Sequence, residues 1–529
     1  MKIIFELNIK MMLNSSFLGE KSIFMKNKQN RLLYFLIFIL LVVIVVPLLP
    51  HGDDWLFLNY FNFPEAWGIN NGYRWINNCI LLPRNFWRPF EDLLLKSETY
   101  LPWLYPTLNH ILIVAIHVFC ARVVYELAIE MKVKPKISLF FSLFFMFSTV
   151  SMGGILSIDS IAQVLVTFWG LLSVIAYLKH KYILWILFGF FTCFSKESGF
   201  VWFFVSPLFE LLYNNRINNI SIIKNLPFKK LMISIIPMAI YLTLYFYLNR
   251  RTIVNTVEYP STVASGIENL MTISTSTNSH HLNVFVFIKN VFILYIAPIF
   301  PIDTSAIYYK EWILLAITCA LSIFSFFGFI KIIYNYIKEK TSEFFLTICI
   351  LICISSISLV TRAGEISPHP SMTILALLLA FCFNEAKIKS NKMIYVIAFC
   401  LSTIITDVHK YSLAYIAGRN AKEMAVNIKD NTKVIPNKVL LISVDDYSMR
   451  KAGAFIPVPG QDFHKGAAAI AEYGYQYPQR LDIKIFEKRE ASKLNNQIAK
   501  TISQYIKNYD CIWVQQGKNT YVVNNEHKQ

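Results

Sequence analysis

The sequence predicts an α-helical polytopic membrane protein of about 11 transmembrane helices with a small C-terminal α/β domain. Three observations predict this class: 55% of the 529 residues are hydrophobic, only 16% are charged, and the mean hydropathy is +0.46. A soluble domain carries about a quarter charged residues, so this chain has too few charges to cover a soluble surface. The composition also excludes disulfide scaffolds, collagen, coiled coils and disordered chains.

The net charge of +17 comes from 50 Lys and Arg against 33 Asp and Glu. An excess of this size would fit a nucleic-acid-binding protein, but the basic residues lie in short clusters between long apolar runs. That distribution is typical of polytopic membrane proteins, where it sets the topology. We therefore expect membrane lipids as partners and no nucleic acid. Most of the nine cysteines lie inside apolar runs and are expected to be small embedded hydrophobes.

A helix needs roughly 20 apolar residues to cross the hydrocarbon core. The first candidate is 32–50, which four basic residues precede and no small-residue cleavage site follows, so we expect a retained anchor and a cytoplasmic segment 1–31. Further spans are predicted at about 104–127, 137–154, 160–178, 182–195, 199–213, 231–248, 312–334, 343–361, 371–386 and 393–412. If the apolar stretch 284–300 also crossed the membrane, the basic loops after it would no longer lie in the cytoplasm. It is therefore interpreted as interfacial or re-entrant.

Placing the basic loops in the cytoplasm puts the C-terminus on the opposite, non-cytoplasmic side. The expected organisation is a multi-pass domain at 32–412, with outer loops 51–103, 249–311 and 361–370, and an extracytoplasmic tail at 413–529. The tail opens with an amphipathic helix from Gly418 to Ile428. Strands are predicted at Val439–Val444, Leu481–Phe486 and Cys511–Val514, with a helix near Ala491–Tyr505.

Asp53 and Asp54 directly follow the first span. Adjacent carboxylates repel each other, which raises one pKa and suits one of them to act as a base or to bind a cation. The alternative is a solvated cap on a helix end. No further cofactor is indicated, and a divalent cation, possible but not required, would be held by these two acids.

The motif Ser195-Lys196-Glu197 lies at the tip of a short hairpin. Residues 182–213 must enter and return within 32 residues, whereas two full crossings need about forty. The tip is therefore expected below the membrane surface. Either Lys196 and Glu197 neutralise each other there, or the cation faces an anionic ligand.

Further polar residues are expected on the same side of the membrane as the two acids. Asp159 is expected to cap the next span, and Arg250 and Arg251 to extend toward the membrane interface. The others are Arg88, His110, Arg362, Glu365 and His369. Carboxylates surrounded by cations suit a phosphate-bearing lipid and a hydroxyl that must lose its proton. His110 and His117 share a helix face, but their spacing disfavours a metal pair.

The order of these motifs resembles the C-type (GT-C) glycosyltransferase superfamily over roughly residues 32–410. The motifs are Asp53-Asp54, Arg88-Pro89, Asn109-His110 and Ser195-Lys196-Glu197, followed by the segment Ala297-Pro298-Ile299-Phe300-Pro301. Within the superfamily, the pattern is closest to the branch of the protein O-mannosyltransferases and of the transmembrane mannosyltransferases that carry tetratricopeptide repeats. No such repeats follow here, and the tail looks like that of bacterial members.

The resemblance implies transfer of a sugar, with inversion, from a polyprenyl- or dolichyl-phosphate donor on the non-cytoplasmic face of the bacterial inner membrane. The acceptor would be a glycan, a lipid or a protein. Asp53 matches the base and Asp54 the second acidic position. Arg88, His110, Lys196 and Arg362 match basic positions near the lipid phosphate. The loop around Arg362 departs from the family pattern, which leaves Glu365 and His369 without an assigned role.

Two other functions fit the same residues. A transporter or flippase of lipid-linked sugars would also place cations against an anionic headgroup, although such proteins often have repeated halves and midplane polar residues. A non-catalytic scaffold of an envelope-polysaccharide machine would tolerate Asn at Asp53 and Asp54, and an enzyme would not.

Overall fold

The computed structural model describes residues 28–51, 54, 88–90, 107–218, 228–255, 284–360, 367–386, 393–432, 436–446, 459, 480–488 and 491–525. Each of the eleven predicted spans overlaps a helix in these ranges. The helices are α1 Lys28–Val45, α2 Thr107–Glu130, α3 Pro135–Phe147, α4 Thr149–Leu156, α5 Ile161–Leu178, α6 Tyr182–Ser195, α7 Val201–Asn218, α8 Phe228–Asn255, α9 Val284–Val291, α10 Ser305–Tyr309, α11 Trp312–Glu339, α12 Thr341–Val360, α13 His369–Glu385, α14 Met393–Asn431 and α15 Ala491–Tyr505.

Within the described ranges, six helices are long and apolar enough to cross a membrane, and the bent pair α3–α4 makes up to seven. The predicted class of polytopic helical membrane protein is confirmed. Helix α5 lies at the centre, with 83% of its apolar window buried, whereas the corresponding window of α8 is only 22% buried. The exposed helix faces carry large apolar residues, as expected of surfaces that contact lipid rather than water.

One end of the bundle is held by a buried ion-pair network around Arg216 at the end of α7. The guanidinium donates to Glu343 of α12 at 2.6 Å, to Glu385 of α13 at 3.0 Å and to the Met131 carbonyl at 2.8 Å. The guanidinium also lies 4.5 Å from the Phe381 ring centroid. These contacts join four separate parts of the chain. We call this end of the bundle the Arg216 end, and it is held together by ion pairs as well as by packing.

The opposite end is called the Asp54 end, since Asp54 lies there. The stretch 284–300 enters the bundle from this end: Asn290 donates to the Leu359 carbonyl at 2.9 Å, and Tyr295 contacts Ser355, one turn deeper in α12, at 2.5 Å. Helix α11 then starts at Trp312 and runs to the Arg216 end. We call 284–311 the re-entrant segment after this path; the predicted interfacial or re-entrant position in a membrane stays a prediction.

The tail forms a four-stranded sheet in the order β2-β1-β3-β4, with strands β1 Lys438–Asp445, β2 Arg480–Glu487, β3 Cys511–Gln516 and β4 Asn519–Asn524. Strand β1 is parallel to β2 and β3, and β4 is antiparallel to β3. The three predicted strands and the helix α15 are confirmed. The last span and the first tail helix prove to be one unbroken helix, α14. The sheet contacts this helix where Asn427 donates to the Thr520 carbonyl at 3.0 Å.

We expect Arg216→Ala to destabilise the protein by about 1.5–3 kcal/mol, because the buried Glu343 would lose its closest charged donor and keep only Lys340 at 3.5 Å and the Tyr336 hydroxyl at 2.9 Å. The matched control is Lys488→Met, which removes a pair with Asp446 in which the side chains are 66% and 29% exposed. The control should cost at most about 1 kcal/mol. Thermal unfolding of both variants in detergent tests the difference, and equal losses would contradict the assigned role of Arg216.

Candidate functional site

Asp54 is fully buried, and both carboxylate oxygens accept hydrogen bonds. Oδ1 accepts from the Ser157 hydroxyl at 3.1 Å and from the Ile158 backbone N–H at 2.9 Å, and Oδ2 accepts from the His51 N–H at 3.2 Å. Ile158 opens the 3-10 turn Ile158–Ser160 that precedes α5, so its N–H has no partner within that turn. Asp54 therefore caps a helix start more than a hundred residues away, and not the helix end that it follows.

Asn109 and His110, at the start of α2, are buried next to this anchor. His51 and the Ile155 backbone are electrostatic neighbours of His110. Within the described part of the chain, the side-chain amide of Asn109 has no hydrogen-bond partner, whereas His110 interacts with the Ile155 backbone. Each buried polar group without a partner costs about 1–3 kcal/mol, and such groups are characteristic of strained or functional sites. The predicted position of His110 beside the acids is consistent with this placement.

Arg88 and Glu197 form a two-point ion pair. Arg88 Nε lies 2.9 Å from Glu197 Oε2, and Nη2 lies 2.9 Å from Oε1. Lys196 and Glu197 occupy the turn between α6 and α7, as predicted, but Glu197 pairs with Arg88, 109 residues away. The paired side chains are 19% and 26% exposed. Burial alone would raise the pKa of Glu197, but the charges of Arg88 and Lys196 outweigh it and hold that pKa below its usual value.

The tip of this hairpin requires a glycine. A Cβ on Gly199 would lie 2.3 Å from the carbonyl carbon and oxygen of Thr192, so a larger residue would push the returning chain away. The Thr192 hydroxyl donates to the Gly199 carbonyl at 2.8 Å and closes the turn. Phe90, two residues after Arg88, packs edge-on against Phe191 at 4.8 Å between ring centroids. Together these contacts fix where the Arg88–Glu197 pair lies.

The sequence places His369 in the outer loop 361–370, but it is the first residue of α13 and is completely buried. His117 Nε2 lies 3.0 Å from the Met146 carbonyl, which belongs to the last turn of α3 and lacks a helical partner. His117 Nδ1 lies 2.9 Å from His369 Nε2, and His369 Nδ1 lies 2.7 Å from the Thr167 hydroxyl. These contacts form one chain from Thr167 through His369 and His117 to the Met146 carbonyl, so the two histidines support the break between α3 and α4.

A polar cluster that the sequence did not predict lies where the re-entrant segment meets α14. His409 Nδ1 is 2.5 Å from Asp303 Oδ2, and His409 Nε2 is 3.3 Å from Glu311 Oε2. Asp303 also accepts from the Ser305 N–H at 3.1 Å. No motif or spacing in the sequence points to this cluster, because Asp303 and His409 are 106 residues apart. Its contacts tie the re-entrant segment to α14.

Several predicted site residues lie outside the described residues: Asp53, Arg362 and Glu365, and the side chains of Asp159, Arg250 and Arg251. The backbone places Asp159 inside the 3-10 turn, whereas Ser160 occupies the capping position of α5. Among the residues that the structure describes, no group of three or more His, Cys, Asp or Glu side chains could hold a metal ion. The role of Asp53 and Asp54 toward a divalent cation stays a prediction.

No protein-family model matches the chain, and no curated protein matches it significantly. Among solved structures, the chain is similar to ArnT from Cupriavidus metallidurans, which was crystallised bound to undecaprenyl phosphate. The TM-score is 0.50 at 9% sequence identity, over 94% of this chain and 98% of that chain. This similarity shows that the chain shares its overall fold with ArnT. The glycosyltransferase superfamily and its O-mannosyltransferase branch stay predictions.

We expect Arg88→Gln to lower stability by about 1–3 kcal/mol near pH 7, because the buried charge of Glu197 loses its main partner. In the wild type, the contribution of the pair is complete above the ordinary glutamate pKa of about 4.3 and is lost as pH falls through the lower pKa of the folded state. In the variant, burial raises the pKa of Glu197, so protonation relieves the penalty. The difference in melting temperature between the two proteins should therefore shrink from about pH 7 to about pH 4. A gap that is constant with pH would contradict this account.

Proposed function

We propose that the chain is a membrane glycosyltransferase that moves a sugar from a polyprenyl- or dolichyl-phosphate donor to an acceptor hydroxyl at the Asp54 end. The observation that carries the proposal is the fold shared with ArnT over 94% of this chain, since ArnT was solved with undecaprenyl phosphate bound. The polar groups described at the Asp54 end supply the chemistry that such a transfer needs.

Transfer from a lipid phosphate expels an anion, so the site must stabilise negative charge on the departing group. We assign this role to Lys196, at the turn between α6 and α7, together with Arg88. Glu197 holds the Arg88 guanidinium by two hydrogen bonds, which fixes its orientation before the donor binds. His110 and Arg362 are further candidates for contact with the phosphate.

The acceptor hydroxyl must lose a proton to a base as the new bond forms, and we assign this role to Asp53. Asp54 is suited to positioning, because its oxygens already accept hydrogen bonds from Ser157, Ile158 and His51. Hydrogen bonds to a carboxylate stabilise its charged form and weaken it as a base. If the reaction uses a divalent cation, the same argument favours Asp53 as the ligand.

The site is proposed to face the non-cytoplasmic side of the bacterial inner membrane, with inversion at the transferred sugar. This orientation follows from the basic loops of the sequence. The phosphate is already an activated leaving group, so a single displacement with one base is enough and inverts the sugar. A second carboxylate flanking the scissile bond, as in glycosidases, is not required. The acceptor would be a glycan, a lipid or a protein.

Mass spectrometry of cell-envelope glycans tests the proposal. A deletion strain is complemented with the wild-type chain, Asp53→Asn or Asp54→Asn at matched protein levels. We expect Asp53→Asn to lack the same sugar as the deletion strain, with product reduced by about 100-fold or more because the base is lost. Asp54→Asn should reduce product together with melting temperature, since it disturbs the anchor at Ile158.

The matched control is Glu339→Gln, an exposed carboxylate at the end of α11 far from the Asp54 end, which should restore full product. The missing mass in the deletion strain identifies the transferred sugar. If both Asn variants restore what the deletion lost, the acids take no part in chemistry. A transporter or a scaffold would then replace the enzyme.

A further inference from the structure

A cavity of about 450 Å³ lies along the C-terminal third of α14, where this helix passes the segment that leads to Asp54. We call it the α14 groove. It is lined by Leu49, Arg419, Lys422, Glu423, Val426 and Asp430, with two asparagines at one end. Its volume falls within the range of about 300–1,000 Å³ typical of ligand sites. The groove adjoins the Asp54 anchor through the Leu49 carbonyl, which lies 3.2 Å from His51 Nδ1.

Leu49 closes one side of the groove because the two backbones touch there. A Cβ added to Gly418 would lie 2.6 Å from the Leu49 carbonyl oxygen, so only glycine allows this approach. Leu49 precedes Asp54 by five residues, which span at most about 17 Å of extended chain. The groove therefore lies within reach of the acid pair. Apart from Leu49, every lining residue lies on α14, and the Leu49 segment turns this mixed-charge helix face into an open groove.

The charges of the groove balance. Arg419 and Lys422 are cations, and Glu423 and Asp430 are anions. This balance disfavours a phosphate-bearing ligand, which would require a net positive surface, and so distinguishes the groove from the site proposed for the donor. Carboxylates accept hydrogen bonds from hydroxyl groups and a guanidinium donates to hydroxyl oxygens, so the set suits a neutral, polyhydroxylated ligand.

The groove is elongated and borders the tail sheet. From Arg419 to Asp430 the helix rises about 16 Å, which matches an extended chain of sugars better than a single one. At its far end, Asn427 lines the groove and donates to the Thr520 carbonyl of β4 at 3.0 Å. A ligand in the groove would thus lie between the acid-bearing segment and the tail.

We propose that the α14 groove binds the saccharide portion of the acceptor and directs its hydroxyl toward the acid pair. This inference rests on the proposed glycosyltransferase function and adds to it the acceptor class and its binding surface. The groove residues act on binding, not on the bond that is transferred. Changing them should therefore raise the amount of acceptor or enzyme needed without abolishing the reaction.

The experiment titrates expression of the full-length chain in the deletion strain and measures the envelope glycan by mass spectrometry at each level. The groove variants are Glu423→Gln and Asp430→Asn, which remove charge at nearly constant shape, and Val426→Trp, which fills the cavity without changing charge. Each should require about tenfold more protein for half-maximal product and still reach the wild-type plateau. Glu487→Gln, an exposed carboxylate of β2 outside the groove, is the matched control and should follow the wild-type curve.

Protein levels and melting temperatures, measured for every variant, separate a binding defect from misfolding. If the three groove variants follow the wild-type curve while Asp53→Asn lacks product, the groove does not bind the acceptor. The proposed glycosyltransferase function would still stand. If Glu487→Gln shifts the titration curve as much as the groove variants do, the effect comes from surface charge. That result would also overturn the proposed acceptor site. Full product from Asp53→Asn would instead remove the proposed function on which the groove depends.

Discussion

The buried carboxylate of Asp54 ties the end of the first helix to the connection between α4 and α5. Its hydrogen bonds reach His51 on its own segment and Ser157 and Ile158 on the other. A buried carboxylate is stable only when its charge is fully solvated by donors, so the two segments are held in one relative position. The start of α2, with His110, packs against this junction. The geometry of the Asp54 end therefore depends on one side chain, whose carboxylate accepts three hydrogen bonds from the protein.

The interior polar groups follow the same rule. The helix break at Ser148 leaves the Met146 carbonyl without a helical partner, and His117 supplies one. His117 is in turn satisfied by His369, and His369 by Thr167. In an apolar surrounding each freed backbone group needs a partner within the protein. The histidines near the candidate site thus divide into a paired set that supports the break and His110, which lies with the buried acid.

The apolar periodicity of the sequence predicted the helices and three tail strands, because span length and residue alternation are local properties. The sequence does not predict strand β4: Asn519–Asn524 has only three apolar residues in a row, Tyr521 to Val523, and it forms as a hairpin partner of β3 after the left-handed turn at Gly517. Pairings over long separations carry no local signal. The sequence predicts that Glu197 neutralises Lys196 or that Lys196 faces an anionic ligand, and only the tertiary structure brings Arg88 to Glu197. The same reason hides the Asp303–His409 contact.

Helix α14 continues for 39 residues from within the bundle to the tail sheet without a break. Such a helix rises about 58 Å, nearly twice the hydrocarbon thickness of a bilayer, which is about 30 Å. Inserting one residue in its middle would turn everything beyond by about 100° and move it by about 1.5 Å. Tail domains grafted onto this bundle must therefore be joined in helical register, and the length of this connection can change only in near-whole turns.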